Sequence, residues 1–599
     1  MSTEGDLTPA PQPDPGQAVP PAVPVVPSEA PQSWFHHHRR LLIPAAAVVA
    51  LAAVSAAAVL LLVKPNNTVE KMVPATQDAI VVANLDPSVA QKVNLLRAVH
   101  SFPDTKTDKA IDDKLDQAFK DSGLSFTGDI KPWLGSQIGV SAKLDLSSAK
   151  NSPAAVYIVS RDDTKARAML AKLRAGKYGT KFQWKDDTYS GITISVGTPT
   201  DQSGQAAAYS LVDHVVVFAT TSAQIHEIID ADQGRAARLV DSSDYKATLA
   251  GLPSDRLGYL YVNGKSLVAN VKKEIATTPS LSLALKNMND VDALQGIGAT
   301  VSANGNGVLA DVLVKLDQSK LSPSTRDAFA HAGRADTVVS WIPKTSEAFL
   351  AITSLKQTIQ TVLDQSGNEA SVKAGTDAIG LTGPSGVLPH LTGDAGLEVG
   401  FGHTGLPAGA ILLGTNDAQS MNAFFARLLA LAEGAAGSSF GGSGAGSSFG
   451  SPSAPPASHL TRSTYRGVVI TSWTSPLLGQ LGAGEAFAPS YAVLDGMGIL
   501  ASTPDEVKAI IDTHKGGATI ASDPTYKTAS AASLAKPSAI VYVDIARLLE
   551  AIRKSPLGAQ SGLGSGSTLS GAVDPVKAVM VTAASQSDRA TERFFVVIR

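Results

Sequence analysis

One short stretch of the chain, HEIID at residues 226–230, carries side chains at a spacing that helical metal sites use. On a helix, His226 and Asp230 lie one turn apart, whereas the zinc hydrolase motif has a second histidine at the place of Asp230. A later stretch that repeats this part of the chain keeps the isoleucines and the aspartate but has Lys508 in place of the histidine. We therefore predict that the isoleucines are buried, that His226 is solvated, and that this stretch binds no metal.

A glycine pattern formed by Gly400, Gly402 and Gly405 matches the G-x-G-x-x-G fingerprint of dinucleotide-binding sites. That fingerprint requires a helix to begin at the glycines, because the helix N-terminus binds the pyrophosphate. Here Pro407 and the strand-like run AILLG follow at once, and the corresponding earlier stretch, VSAKLDLSSAKNSP, lacks these glycines. The pattern predicts a hairpin loop and no cofactor site.

Other catalytic signatures are missing from the sequence. There is no G-x-S-x-G motif and no P-loop, and the serines of GPSG (383–386) and GGSGAG lie in glycine-rich loops. The chain has no cysteine, which excludes disulfides, thiolate catalysis, cysteine-ligated metals and a cysteine-linked lipid anchor. A net charge of −3 argues against a nucleic-acid partner. We predict no catalytic, cofactor-binding or metal-binding residues and no enzyme.

A repeat within the chain is the clearest sign of its organisation. Residues Tyr245–Leu267 align without a gap with Tyr526–Leu548, and further segments on either side recur in the same order. A residue that the fold requires should tend to recur in both copies. Tyr261 and Tyr542 do so and are predicted to be packing residues, whereas Trp133 is replaced by His390 and is interpreted as an aromatic at the edge of the core.

The elements of each copy predict antiparallel sheets backed by helices. The first copy, residues 74–320, begins with a strand at 78–86, and TVVSWIP (337–343) is matched to it in the second copy, residues 334–599. The run YAVLDGMGIL has Asp495-Gly496 at its centre, which is typical of a two-residue type I′ hairpin turn. The sequence therefore predicts a tandem duplicated α+β fold, with a flexible Gly/Ser/Pro insertion at 434–457 in the second copy.

The N-terminal region predicts where the protein resides. Residues 1–40 are Pro-rich and predicted to be a disordered cytoplasmic tail, residues 41–63 carry no charge and predict one transmembrane helix, and residues 64–73 form a tether. Basic residues before the span place the N-terminus in the cytoplasm and the bulk of the chain outside the cell membrane. The alternative is a cleaved signal peptide, which the long Pro-rich lead and the long apolar run disfavour.

The stretches Ala75–Lys92 (ATQDAIVVANLDPSVAQK) and Asp129–Gly135 (DIKPWLG), together with this N-terminal arrangement, carry a resemblance to a known family. They resemble the actinobacterial domain-of-unknown-function 3352 family, most clearly over residues 70–320. The second copy departs from the pattern, with Thr345-Ser346-Glu347 in the region of Asp86-Pro87-Ser88 and with His390. The resemblance implies a single-pass, membrane-anchored, extracytoplasmic protein of unassigned activity, and it implies no catalytic residues.

Three functional hypotheses follow. The first is a non-enzymatic binding or scaffolding module of the cell envelope, with envelope proteins as partners. The second is an ectodomain that holds a lipid or another apolar ligand between helices and a curved sheet, and it requires a continuous apolar cavity lined by both the sheet and the helices, where a scaffold has a filled core. The third and weakest is a hydrolase, which a pair of carboxyl groups with raised pKa in a shared cleft would favour.

Overall fold

The structure is a computed structural model, and it describes part of the chain. The described residues are 68–598 except for 106, 120–122, 146–151, 178, 201–205, 278–289, 331, 366–369, 403–404, 406, 440–458, 475–486 and 556–572. The predicted tail (1–40), the predicted span (41–63), the first residues of the tether and most of the predicted insertion (434–457) lie outside them. Among the described residues, no helix combines the length and the apolar character needed to cross a bilayer.

The strands belong to one antiparallel sheet. In the first half of the described chain (residues 68–330) they are β1 Ala79–Asn84, β2 Leu134–Ala142, β3 Ala154–Ser160, β4 Phe182–Tyr189, β5 Ile192–Pro199, β6 Ala207–Val212, β7 Val215–Ala219, β8 Gly258–Asn263, β9 Leu294–Asn304 and β10 Gly307–Leu316. In the second half (residues 332–598) they are β11 Ala348–Ile352, β12 Leu391–Phe401, β13 Pro407–Thr415, β14 His459–Tyr465, β15 Val468–Thr474, β16 Ser490–Leu494, β17 Met497–Ala501, β18 Ala539–Asp544, β19 Val576–Gln586 and β20 Arg589–Ile598.

The order of strands across the sheet follows from their pairing. From edge to edge it runs β4, β5, β6, β7, β3, β2, β1, β8, β9, β10, β20, β19, β18, β11, β12, β13, β17, β16, β15, β14. In the first half β1 lies between β2 and β8, and in the second half β11 lies between β12 and β18. Every pair is antiparallel, so the prediction of an antiparallel α+β fold is confirmed.

Helices connect and cover the strands. In the first half they are α1 Val69–Met72, α2 Val89–Val99, α3 Asp108–Phe119, α4 Asp163–Ala175, α5 Ser222–Asp232, α6 Ser243–Leu249, α7 Gly264–Thr277 and α8 Pro323–Ala330. In the second half they are α9 Asp336–Val339, α10 Leu355–Gln365, α11 Ala370–Ala378, α12 Ala418–Ser439, α13 Pro504–His514, α14 Pro524–Ser530 and α15 Ile545–Lys554.

Two hairpin turns have the predicted geometry. Asp213 and His214 join β6 to β7 with φ values of 39° and 63°, and Asp495 and Gly496 join β16 to β17 with φ values of 45° and 79°. Both central residues of a type I′ turn need a positive φ, which Asp and Gly tolerate better than most residues. The turn prediction at Asp495-Gly496 is confirmed.

The assignment of TVVSWIP to the first strand of the second half is wrong. This run contains the short helix α9, and the strand that lies beside β12 and β18 is the later run AFLAI, which is β11. A short apolar run has no periodicity that separates strand from buried helix, and Val338, Val339 and Trp341 are all buried. Consequently Ser346 and Glu347 lead into β11 and do not follow a strand as Asp86 and Pro87 do.

The two faces of the sheet are covered differently. On one face, α1, α5 and α6 in the first half and α9, α13 and α14 in the second half pack on filled cores, whose members include Tyr157, Tyr261 and Tyr542. On the opposite face, α2 and α4 cover parts of the first half and α12 covers the strands near Tyr491. Between these helices the strands of the second half present apolar side chains to solvent.

The two halves meet where β10 pairs with β20, a contact that we call the seam. Its register runs from Gly307 opposite Val597 to Lys315 opposite Arg589. At its middle, Asp311 lies opposite Arg593, and the Arg593 Nε donates to Asp311 Oδ1 at 2.6 Å. The Asp311 side chain is 2% exposed, so its carboxylate depends on the guanidinium for compensation.

We predict that Arg593→Met destabilises the protein by about 3–5 kcal/mol, because it leaves the Asp311 carboxylate buried without its cation. The double variant Asp311→Val/Arg593→Met should regain most of that loss, since it removes both charges. Denaturant unfolding of the full chain, followed by circular dichroism, measures both effects. The control is Lys109→Ala, which breaks an exposed ion pair with Asp113 and should change stability by less than about 0.5 kcal/mol. An Arg593→Met effect no larger than the control would contradict the prediction.

Candidate functional site

A cleft in the second half brings charged side chains together at the ends of β11, β12 and β18. It has a volume of about 540 Å³ and is open to solvent. It is lined by Glu347, Phe401, Gly402, Gly405, Arg547, Glu550, Ala551 and Lys554. The glycines belong to the loop between β12 and β13, as predicted for the G-x-G-x-x-G pattern, and strand β13 begins at Pro407, directly after this loop.

The glycine pattern has a local role beside this cleft. A Cβ atom at Gly400 would lie 2.6 Å from Glu347 Oε2, so the carboxylate packs directly against the backbone of this glycine and would have to shift for a larger residue. Glu347 Oε2 in turn accepts a hydrogen bond from the Phe401 amide at 3.2 Å. Gly405 has a φ of 71°, a conformation that favours glycine. The pattern that resembled a phosphate-binding turn therefore accommodates an acid.

Arg547 holds the other wall of the cleft in place. Its Nη1 donates to the carbonyl oxygens of Lys344 and Ser346, and its Nη2 donates to Asp523 Oδ2 at 2.7 Å. Asp523 caps the N-terminus of α14, and Asp544 caps that of α15 through the Arg547 amide. Arg547 thus contacts the caps of two helices, α14 through its guanidinium and α15 through its amide, and its guanidinium also binds the segment that leads to Glu347.

Behind the cleft lies an acid cluster of Glu347, Glu398 and Glu506. Glu398 on β12 is 2% exposed, and its Oε2 has no hydrogen-bond partner among the described residues. Burial, followed by the neighbouring Glu506 carboxylate, raises the pKa of Glu398 to about 8. Burial also raises the pKa of Glu347. Glu398 hydrogen-bonds to Glu506, an arrangement in which two carboxyl groups share one proton.

The acid cluster is not a requirement of the fold. In the first half, Ser141 is the counterpart of Glu398. Glu398 directly precedes Val399, which pairs with the first residue of β11, Ala348. Ser141 directly precedes Ala142, which pairs with the first residue of β1, Ala79. In the same way, Gln224 is the counterpart of Glu506. The Glu506 amide donates to Thr503, the N-cap of α13, and the Gln224 amide donates to Thr221, the N-cap of α5. A neutral polar residue therefore suffices at both positions. Glu398 and Glu506 are therefore acids of the second half alone, whereas Glu347, which directly precedes β11, has an acidic counterpart in Asp78, which directly precedes β1.

A second feature, which we call the apolar band, crosses the opposite, less covered face of the sheet, where Ile411, Leu397, Val399, Val541 and Phe594 are exposed and the other members are half-buried. Its first row, in register from β13 to β9, is Ile411, Leu397, Leu350, Val541, Val581, Phe594, Ala310 and Val301. Its second row, from β12 to β10, is Val399, Ala348, Val543, Val579, Val596 and Val308. Ile411, Leu397, Val541 and Phe594 are 43%, 42%, 37% and 38% exposed. With strands about 4.8 Å apart, the first row is about 34 Å long.

The cleft adjoins the apolar band. Phe401 lies two residues beyond Val399 on the same strand, and Glu347 directly precedes Ala348. Val543 is followed after one residue by α15, which carries Arg547 and Lys554. The charged cleft therefore lies at the strand-end side of the second row.

The remaining predicted residues lie elsewhere and do not form a site. His226 is half-buried and stacks on Tyr189 with ring centroids 4.0 Å apart, so the prediction of a solvated position is wrong. Asp230 accepts a hydrogen bond from the Tyr189 hydroxyl and pairs with Arg235. No group of three metal-ligating side chains with suitable geometry exists among the described residues.

The aromatic predictions are confirmed for the tyrosines. Tyr261 and Tyr542 are fully buried and pack edge to face on Tyr245 and Tyr526, with centroids 5.0 and 5.1 Å apart. Trp133 lies inside the core at 1% exposure, deeper than the predicted edge position, and its Nε1 donates to the Asp129 carbonyl oxygen.

Sequence reasoning missed the acid cluster, because its members are far apart in the chain. The local pattern also pointed the other way. AGLEVGF alternates apolar residues with Gly396, Glu398 and Gly400, which predicts a solvent-facing Glu398, whereas Glu398 is 2% exposed and Leu397 and Val399 are the exposed residues.

We predict that Glu398 makes stability fall as pH rises. The folded protein keeps the Glu398 proton up to a pKa of about 8, whereas the unfolded chain releases it near the ordinary value of 4.5. Between these values the free energy of unfolding decreases by up to about 1.4 kcal/mol per pH unit. In Glu398→Gln this contribution disappears, which thermal unfolding between pH 5 and pH 8 will measure. The control is Glu550→Gln, at an exposed position of the cleft, and it should keep the wild-type dependence of stability on pH. If Glu398→Gln also kept the wild-type dependence, the prediction would be wrong.

Comparisons with known proteins give a family and no assigned activity. No curated protein matches the chain. Among solved structures, crystal form III of TP0453 has a TM-score of 0.22 and 11% identity, covering 43% of this chain and 83% of that one. Crystal form I of TP0453 has a TM-score of 0.22 and 10% identity, covering 43% and 82%. TM-scores this low do not establish a common fold. The family described as "Protein of unknown function (DUF3352)" matches residues 43–436, more than half of the 599 residues, and the chain therefore belongs to the DUF3352 family.

Proposed function

We propose that this protein is a non-enzymatic binding module of the cell envelope that holds the acyl chains of a lipid on its apolar band. In this proposal the segment 41–63 anchors it to the cell membrane by a single span, with the N-terminus in the cytoplasm and the described residues outside. The support for anchoring is the absence of charge over this segment and the basic residues that precede it. This site differs from the second sequence hypothesis, which placed the lipid in a cavity between helices and sheet, because core side chains fill that space.

The observation that carries the proposal is the apolar band. Soluble proteins seldom expose contiguous apolar surface beyond a few hundred Å², and larger patches are typical of binding surfaces. The band is about 34 Å long, and its two rows are about 7 Å apart, since alternate residues of a strand share a face. These dimensions suit extended hydrocarbon chains.

The side chains of the band favour lipid over protein. Protein interfaces concentrate binding energy in Trp, Tyr and Arg surrounded by polar groups. The band is aliphatic except for Phe594, and its central strands are hydrogen-bonded on both sides, so their backbones offer no edge to an added strand. An aliphatic surface without hydrogen-bonding groups matches hydrocarbon.

The covered face of the sheet does not offer the same opportunity. Its cores contain fully buried side chains such as Ile499, Ile510 and Tyr542 in the second half. A ligand between helices and sheet on that face would have to displace them. The proposal therefore places the ligand on the opposite face, with α2 over one end of the band and α12 beyond the other.

The non-enzymatic part of the proposal rests on the inaccessibility of Glu398, the most deeply buried acid of the cluster. Glu398 Oε2 and the nearby Ser346 Oγ both lack solvent contact, so a substrate in the cleft would not reach them. A general acid must come within hydrogen-bond distance of the reacting group. Glu347 lines the cleft, but Glu398 lacks the access that the second carboxyl group of a hydrolase needs.

We further propose that the two halves are copies of one unit. The recurring pairing order on either side of the seam supports this, as does the repeat of Tyr245–Leu267 in Tyr526–Leu548. The apolar band extends through the seam onto β10 and β9, so the first half contributes to the surface although its own strands carry no acid cluster. On this proposal only the second copy has the complete site.

The prediction is that Leu397→Thr/Ile411→Thr/Val541→Thr lowers lipid binding at least about tenfold, because it places hydroxyl groups on the exposed apolar surface while keeping strand-forming residues. Native mass spectrometry and lipid extraction of the full chain, purified from its own membrane in lipid nanodiscs, measure bound lipid per protein. Val89→Ser changes an exposed valine on α2 and is the matched control.

A lipid adduct released on denaturation is expected for the wild type and for the control. An adduct that persists unchanged in the triple variant would move the site away from the band. A wild-type protein without any adduct would overturn lipid holding, and the scaffolding hypothesis would replace it.

A further inference from the structure

We propose that the cleft binds the head group of this lipid and that the head group is a phosphate ester carrying a primary ammonium. This inference rests on the proposed function and adds the chemical class of the ligand. It derives from the charges that line the cleft and from the position of the cleft beside the apolar band.

The position allows one molecule to occupy both features. Phe401 continues the row of Leu397 and Val399 along β12, and it also lines the cleft. A lipid whose chains lie on the second row would therefore place its polar end at the loop of Gly402 and Gly405 without crossing a polar barrier. A volume of about 540 Å³ lies within the usual range for a small polar group.

The lining of the cleft carries charges of both signs, and Arg547 is also paired with Asp523 and, at 3.6 Å, with Asp544. Two cations, Arg547 and Lys554, and two carboxylates, Glu347 and Glu550, line it. A ligand with only negative charge would meet both carboxylates, and a ligand with only positive charge would meet both cations. A dipolar group can bind its phosphate to the cations and its ammonium to the acids, so the lining favours a zwitterion.

The ion pair between Lys554 and Glu550 can exchange partners at little cost. Their Nζ and Oε1 atoms are 2.5 Å apart, but the side chains are 74% and 63% exposed. Exposed pairs of this kind contribute little to stability, so opening the pair to a phosphate and an ammonium is inexpensive. Arg547, in contrast, is held by Asp523 and by two carbonyl oxygens and gives the phosphate a fixed cation.

Glu347 provides the position for the ammonium. It is mostly buried, it takes one hydrogen bond from the Phe401 amide, and it lines the cleft. A compact ammonium carries three donors and can bind a carboxylate at this depth, whereas a glycerol head group brings no charge. Glu347 is therefore the residue that should decide between the two head groups.

The experiment compares two lipids with identical acyl chains, phosphatidylethanolamine and phosphatidylglycerol, binding to the full chain in nanodiscs. Competition followed by native mass spectrometry should give the wild type a preference of about tenfold for phosphatidylethanolamine. Glu347→Gln should reduce that preference to about twofold or less while total lipid binding persists. Lys554→Gln should weaken both lipids alike. Asp113→Asn, which alters an exposed ion pair on α3 at the same spacing, is the control and should keep the wild-type preference.

The outcomes separate the two proposals. Lipid binding without a head-group preference, or a preference that survives in Glu347→Gln, overturns this inference and leaves the proposed function standing. Titration with water-soluble glycerophosphoethanolamine covers the opposite case. If it binds in a Glu347-dependent manner while neither lipid binds, the head-group chemistry is supported, its source is a free phosphate ester, and lipid holding is overturned.

Discussion

The pairing of β10 with β20 is the interaction on which the rest of the architecture depends. It joins two sets of strands into one sheet, and its centre holds the Asp311–Arg593 ion pair beneath the covering helices. Without it, two strand edges would be exposed and the apolar band would be cut between Phe594 and Ala310. Because the ion pair lies on the covered face, the less covered face remains aliphatic through the seam. The same contact therefore supports the fold and the proposed binding surface.

The proposed site combines apolar side chains that are exposed to water with a carboxyl group that is shielded from it. The apolar band exposes aliphatic side chains to water, which is unfavourable unless another apolar surface covers them. A few residues away, Glu398 is a carboxyl group without water, and it retains its proton as a result. Glu398 and the most exposed residues of the band lie in the second half, and the counterpart of Glu398 in the first half is Ser141. Departures from the preferred placement of polar and apolar groups are expected at functional sites, and these two lie side by side.

The local parts of the fold could be predicted from the sequence, and the parts that depend on distant contacts could not. Asp495-Gly496 predicted its turn because two residues determine that geometry, and the apolar periodicity of SAQIHEIIDAD predicted α5 with its buried isoleucines. The run TVVSWIP was assigned wrongly because burial on all sides removes the alternation that distinguishes a strand. The apolar band was also not predicted, because its rows run across strands that are remote in the chain. Only the register shows that Leu397, Leu350 and Val541 are neighbours.

The outermost strands determine how far this sheet can grow. With the inner edges joined at the seam, β4 and β14 are the edges that remain among the described strands. β4 carries Lys185, Asp186 and Asp187 in succession along an exposed stretch, and β14 carries Arg462. Charged edge strands resist pairing with further chains, since an added strand would have to desolvate those charges. The two edges that remain after the halves join are therefore protected by charge. Further molecules are not expected to add strands to this sheet, and the protein does not template a fibre.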